Sequence, residues 1–363
     1  MRFRAWVIAG PSKVELKEFD TEVGGGLVAL DSPEYAEAPS TPLRDDQVIL
    51  RTLTSSVCDT DKLLYPMGGD TRRPLGCQFG HEMVSRIVAK GSAVKDLEVG
   101  DRVYPFPRLV KDSVVFAGRP GAFSELVVCD HAEKGRNLYP VDERISNQWA
   151  AMIEPFTIGH HTAVISEPKP GNAAVIIGAN TLGLATAVCL REMGVEDIVI
   201  VNWSCERLDL VRGIDGKKPF ETVTVRDKDW LEQIEARFGT TQTPFGPAID
   251  VDIWVDASSN STIFESVFAK AKNFARLTSI AAHHRPAQID LTKLAYSSVT
   301  LRGAGGYLPE DVQPVLDIMG SGRYKLDSMI SATFPFSHFD EAMEYCQINP
   351  NCFKCQIDFG VDD

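Results

Sequence analysis

Short apolar runs separated by turn residues fill the first 155 positions. Ala5–Ala9, Gln47–Thr52, Met83–Val88 and Phe123–Cys129 have the length and composition of strands. Gly100-Asp101 and Arg119-Pro120-Gly121 punctuate them. This pattern predicts a compact, β-rich, barrel-like domain. Residues 19–44, rich in Gly, Pro, Ser and acidic side chains, read as a long surface excursion. The rhythm changes after Pro168-Lys169-Pro170-Gly171. Ala173–Ile177 is a buried strand ending at Gly178, and Leu182–Met193 has helical length and closes at Gly194. Strands at Ile198–Val201, Ile253–Val255 and Leu277–Ala281 alternate with helical stretches such as Phe264–Phe274, which argues for a parallel sheet. A final strand is expected over Lys354–Phe359.

The 363 residues suit two domains, and 44% hydrophobic against 24% charged residues supports a large core. The net charge of −13 disfavours nucleic acid and anionic membranes as partners. No leader-like segment or run of membrane-span length is visible, so a cytoplasmic location is expected. The eight cysteines are scattered and do not frame a disulfide scaffold.

Three signatures carry candidate chemistry: Cys58-Asp59-Thr60-Asp61, Gly80-His81-Glu82 and Glu154-Pro155. A thiolate, an imidazole and a carboxylate suit zinc, and three protein ligands with one open position describe a catalytic site. The gaps between them are long and irregular, so spacing alone does not make them a cluster. A buried cysteine is more often inert packing. Further on, Val175-Ile176-Ile177-Gly178-Ala179-Asn180-Thr181-Leu182-Gly183 is a strand-to-helix turn of the kind that holds a dinucleotide pyrophosphate. Asn180 takes the central glycine position, where tolerance of left-handed backbone would suit it. About two dozen residues after Gly178, where an acidic residue would hold the ribose hydroxyls of NAD, stands Asn202. Without that carboxylate a 2′-phosphate is admissible. Ser204 and Arg207 could bind the phosphate, which tips the balance to NADP while leaving NAD open. Trp203 either covers the adenine or packs.

The order of these motifs, with Gly100-Asp101-Arg102-Val103, Gly121-Ala122-Phe123-Ser124-Glu125 and Glu154-Pro155-Phe156 followed by His161, resembles the zinc-containing medium-chain dehydrogenase/reductase family, nearest its sorbitol and threonine dehydrogenase branch. The resemblance covers nearly the whole chain. It implies a GroES-like β-rich catalytic domain, residues 1–155 completed by 299–363, and a Rossmann doubly wound parallel-sheet domain, residues 156–298. It implies metal ligands at Cys58, His81 and Glu82, with Glu154 on the metal or on its water. Thr60 is then the hydroxyl that takes the substrate proton, and Asp61 the carboxylate that orients the histidine. Ile280-Ala281-Ala282 and Gly303-Ala304 match loops that line the nicotinamide. His283 and His284 follow the first of these loops and either reach the cofactor or face solvent.

Three departures stand out. The fifth residue after Cys58, where relatives with a full proton relay carry histidine, is Leu63. Ser85 replaces a usual glycine, for which a small local change is expected. Residues 104–120 lack the four cysteines of a structural zinc lobe, and Cys346, Cys352 and Cys355 are expected to be unligated thiols, leaving one catalytic zinc per chain. The expected reaction is hydride transfer between a secondary alcohol and NAD(P), on a polyol, sugar or hydroxy-amino compound, by a homo-oligomer (dimer or tetramer). The alternatives are a zinc-free quinone or enoyl reductase of the same superfamily and a non-enzymatic NAD(P)-binding protein.

Overall fold

The computed structural model describes residues 2–20, 43–69, 75–76, 78–107, 121–227, 229–283 and 285–361. Most of the excursion expected over 19–44, the turn residues Arg119 and Pro120, much of the stretch 104–120, and His284 lie outside the described residues. Among the described residues no helix is long and apolar enough to cross a membrane.

The chain divides into two compact units. The first runs to Glu154 and takes up Leu308–Gly320 and the chain from Met329 onward; the second is Pro155–Tyr307 with Ser321–Ser328. In chain order the first unit opens with β1 (Arg2–Gly10), β2 (Lys13–Asp20), β3 (Val48–Ser56), α1 (Asp59–Met67), β4 (Glu82–Lys90), β5 (Arg102–Pro105), β6 (Leu126–Cys129), β7 (Leu138–Pro140) and α2 (Asn147–Ala150). Helix α3 (Ile153–Ile165) leads into the second unit. That unit contains β8 (Ala173–Ile177), α4 (Thr181–Glu192), β9 (Asp197–Asn202), α5 (Cys205–Arg212), β10 (Glu221–Thr224), α6 (Trp230–Phe238), β11 (Thr240–Thr243), β12 (Gly246–Ile249), β13 (Ile253–Asp256), α7 (Ser261–Lys270), β14 (Arg276–Ser279), α8 (Leu291–Ser297) and β15 (Thr300–Gly303). The chain then forms α9 (Val312–Gly320), β16 (Ile330–Pro335), α10 (Phe339–Ile348) and β17 (Lys354–Asp358).

In the first unit a seven-stranded sheet runs β16-β17-β3-β4-β5-β7, with β6 also on β3. All its pairings are antiparallel except β16 with β17. Trp6, Phe79, Phe123 and Phe339 form an aromatic cluster beside it, with Phe123 and Phe339 centroids 4.4 Å apart. Leu64 and Tyr65 of α1 sink into the same cluster, which anchors that helix. The three thiols of Cys346, Cys352 and Cys355 are packed there too.

In the second unit six parallel strands take the order β10-β9-β8-β13-β14-β15. The order reverses direction between β8 and β13, the topological switch point of a doubly wound sheet. Strands β8 and β13 read as continuous apolar runs because both faces of a parallel sheet are covered. The domain boundary expected at 298 cuts this sheet: β15 is its edge strand, and the first unit resumes only at Leu308. The helix expected over Phe264–Phe274 starts and ends earlier. Asn260 caps it, accepting from the Ile263 amide at 3.2 Å, and Phe274 has a φ of 61° that no helix continues through.

Candidate active site

Gly80 shapes the Gly80-His81-Glu82 segment. Its φ is 86°, and a Cβ there would lie 2.6 Å from the Phe123 ring. The left-handed turn and the close aromatic contact set the path on which His81 and Glu82 enter β4. Both side chains are buried. Cys58 arrives from the other side as the N-cap of α1, with its own amide donating to Asp61 Oδ2 at 3.0 Å. The ligand atoms of Cys58, His81 and Glu82 all lie within 4.8 Å of one another. Thr60 Oγ1 is 3.7 Å from Cys58 Sγ. Three residues without a common sequence rule thus converge, and soft sulfur, imidazole and carboxylate fit zinc. No other set of three His, Cys, Asp or Glu donors this close occurs among the described residues.

Glu154, at the start of α3, is buried but falls outside that grouping. Its charge still reaches Cys58. Burial is the main cause that pushes the Cys58 thiol well up, with Glu82, Asp61 and Glu154 adding to it and Lys354 opposing. A divalent cation held there would oppose that shift and favour the thiolate. Asp61 has a role beyond the one expected, because it closes the first turn of α1 and so fixes the backbone of Cys58. Leu63 is half exposed on the same helix.

Lys354 is the feature to which sequence reasoning gave too little weight. From β17 its Nζ reaches Glu82 Oε1 at 2.5 Å and Oε2 at 2.6 Å, with both side chains buried. Burial works to lower the lysine pKa, but the charges of Glu82 and Cys58 outweigh it and push it well up, so the ammonium stays charged. The strand it opens, Lys354-Cys355-Gln356-Ile357-Asp358, is mixed in character and does not mark the lysine as buried; its burial calls for the partner that Glu82 supplies. Ser85, in the usual glycine position, is buried on β4, and its hydroxyl finds no hydrogen-bond partner among the described residues.

The second unit assembles the other candidate residues along one sheet edge. Val201, Ile177, Asp256, Ser279 and Gly303 stand in register across five strands. Gly178, Asn202, Ile280 and Ala304 each come one residue beyond that row. Ligands of doubly wound sheets bind outside this carboxyl edge. Gly178 has a φ of 113°, and a Cβ on Gly183 would lie 2.0 Å from the Gly178 carbonyl oxygen. Thr181 and Leu182 open α4. The expected left-handed backbone at Asn180 is not found. Its φ is −113°, and asparagine serves there by capping α4, accepting from the Gly183 amide at 2.9 Å, and by donating to Ala257 O at 2.7 Å. Gly183→Ala cannot relieve its contact with backbone. We expect it to destabilise the second unit by about 1–3 kcal/mol and to abolish dinucleotide binding, read by thermal melting and ligand titration.

Asn202 braces the turn, its Oδ1 accepting from the Ala179 amide at 3.2 Å, while Arg207 donates to Ala179 O at 3.2 Å. Ser204 caps α5 and donates to Glu206 at 2.7 Å. A cleft of about 330 Å³ opens between Gly178, Asn180, Asn202, Trp203, Arg207 and Ser258. Trp203 is exposed at its rim, and the Arg226 guanidinium lies 5.6 Å from the indole centroid. Arg226, just beyond β10, was not legible as a site residue, because nothing near it in the chain marks it.

Residues 44–143 match the profile of the alcohol dehydrogenase GroES-like domain. An L-threonine 3-dehydrogenase of Coxiella burnetii is 25% identical over 328 residues, 85% of this chain and 91% of that protein. An (R,R)-butanediol dehydrogenase of Neisseria gonorrhoeae is 24% identical over 365 residues, 90% of this chain and 97% of the relative. Among solved structures, the alcohol dehydrogenase TADH from Thermus sp. ATN1 superposes with a TM-score of 0.79 at 17% identity, covering 98% of this chain and 99% of that one. At that identity the superposition speaks for the fold alone.

Proposed function

Because this chain belongs to the zinc-type medium-chain dehydrogenase/reductase family, near its threonine and polyol branch, we infer that it is an NAD(P)-dependent alcohol dehydrogenase that interconverts a polar secondary alcohol and its ketone. The observation that carries the mechanism is the convergence of Cys58, His81 and Glu82 within 4.8 Å. We propose that these three hold a single catalytic zinc. When bound there, zinc supplies Lewis acidity, which makes an alcohol proton easier to lose, and the nicotinamide accepts the hydride.

This chain's own residues do the rest. Asp61 and the first turn of α1 orient Cys58. Lys354, paired with Glu82, favours the ionised carboxylate against the burial that pushes its pKa up. The Thr60 hydroxyl, beside the Cys58 sulfur, receives the substrate proton. Leu63, exposed at the relay position, offers no imidazole to take that proton onward. Glu154, buried near the ligands without joining them, acts on the substrate or its water rather than as a primary ligand. Polar substrates suit that carboxylate.

The proposed cofactor preference is NADP. Asn202 offers no carboxylate to repel a 2′-phosphate, Arg207 lines the cleft, and Arg226 sits over the indole of Trp203 at its rim. Asn202→Asp keeps the acceptor for the Ala179 amide and adds one negative charge beside the ribose. It should shift the ratio of kcat/KM values for NADP and NAD toward NAD by about 1–3 kcal/mol, roughly ten- to a hundredfold. An unchanged ratio would mean that position 202 does not face the ribose.

The test of the whole reading is metal analysis of the purified protein together with a screen of polyols, sugars and hydroxy-acids against both cofactors. One zinc per chain and nicotinamide-dependent turnover are expected. Dinucleotide binding without zinc or turnover would favour a non-enzymatic binding protein, and two tightly held zincs would assign metal to the Cys346, Cys352 and Cys355 thiols.

A further inference from the structure

His283 makes a contact that the reading above does not use. It is the first residue beyond Ile280-Ala281-Ala282, and its Nε2 lies 2.5 Å from Asp256 Oδ2. An ionised carboxylate only accepts, so Nε2 is the donor. The carboxylate is buried and the imidazole largely so. Asp256 ends β13, next to the wall of the adenosine cleft formed by Ala257, Ser258 and Asn260.

The two oxygens of Asp256 are divided. Oδ1 accepts from the Ser258 amide at 2.9 Å and the Ser258 hydroxyl at 2.7 Å. Oδ2 accepts from His283 and from the Ser279 hydroxyl at 3.3 Å. The backbone follows the same pattern, with the Ile280 amide donating to Asp256 O at 3.0 Å. The far end of the loop is pinned to α7: the Ser261 hydroxyl donates to Arg285 O at 2.5 Å and faces His283 Nδ1 at 3.1 Å.

Ser261, His283 and Asp256 in one row of contacts suggest a nucleophilic triad, but the arrangement does not serve one. Ser261 is buried, and its proton goes to the Arg285 carbonyl rather than to the imidazole. What the bonds do is hold a loop. Strands β8, β9 and β13 supply the adenosine cleft, so a dinucleotide lying along this edge must place its other half over the ends of β14 and β15, at Ile280–Ala282 and Gly303-Ala304.

We propose that His283 is a positioning residue for the nicotinamide half of the cofactor, strapping the 280–282 loop to Asp256 and, through the shared carboxylate, to the wall that receives the adenosine half. The inference rests on the dinucleotide reading of this edge. Loss of the strap leaves the adenosine cleft intact and makes the nicotinamide loop pay its ordering entropy on binding.

The experiment is a calorimetric titration with NADH and NADPH, and with their adenosine halves AMP and 2′,5′-ADP. For the preferred dinucleotide, His283→Ala should weaken binding about tenfold or more, while affinity for the matching adenosine fragment stays unchanged. His283→Gln, whose amide can still donate to Asp256, should recover part of the loss. Ser261→Ala releases only the α7 end and should cost roughly three- to tenfold, again on the dinucleotide alone; it carries the test if His283→Ala does not fold. Equal loss on dinucleotide and fragment, or no loss on either, overturns the strap. A wild-type protein that binds neither dinucleotide overturns the cofactor reading itself, and the strap with it.

Discussion

Cys58→Ser should lower kcat/KM by at least about a thousandfold while the protein melts close to wild type. The size follows from the several kcal/mol of charge stabilisation that a Lewis-acid metal contributes to a reaction centre. The unchanged fold follows from position. Cys58 is the N-cap of α1, serine is a better cap than cysteine, and Leu64 and Tyr65 anchor the helix independently. Serine thus removes the thiolate and keeps the helix start, which separates metal loss from misfolding. Zinc content measured on the same sample should fall with activity. Retention of zinc and turnover would show that the 4.8 Å grouping is a structural coincidence. The carboxylates divide in the same assay. Glu154→Gln should keep zinc and lose most of its rate, whereas Glu82→Gln should weaken zinc binding. The opposite pattern would make Glu154 the direct ligand.

How much of this was legible beforehand differs between the two units for physical reasons. In the second, a strand buried on both faces reads as an unbroken apolar run, so Ala173–Ile177 matches the observed β8 end for end. The register row that gathers Gly178, Asn202, Ile280 and Ala304 depends on where strands end, and there the run expected over Leu277–Ala281 overshot, since β14 closes at Ser279. Helix starts were harder. The α7 cap is Asn260 in a polar stretch, and only its bond to Ile263 shows where the helix begins. Asn180 was read for a left-handed backbone it does not have, since a capping side chain and a left-handed backbone leave the same residue in a sequence. In the first unit Cys58, His81 and Glu82 could be named by residue type but grouped only through resemblance, because their convergence depends on β3, β4 and α1 packing together. The Lys354–Glu82 and His283–Asp256 pairs join distant segments, and no local pattern announces either. Asp256, a carboxylate closing the apolar run Ile253–Val255, is the one trace they leave.

Lys354→Met should destabilise the zinc-free protein by about 3–5 kcal/mol, because it leaves the Glu82 carboxylate buried without its cation. Methionine fills much of the lysine volume, so the loss is electrostatic rather than a cavity. Two further measurements locate the carboxylate. Adding Glu82→Gln to Lys354→Met removes the orphaned charge and should restore most of the stability, which a packing defect at position 354 would not allow. Loading with zinc supplies a second cation beside Glu82. If Glu82 is a direct ligand, zinc should offset much of the Lys354→Met loss, and the holo and zinc-free melting shifts should differ clearly. Equal shifts in both states would mean that the carboxylate faces Lys354 alone. Glu82 would then be a charge held near the metal rather than on it, and the third protein ligand would have to be Glu154.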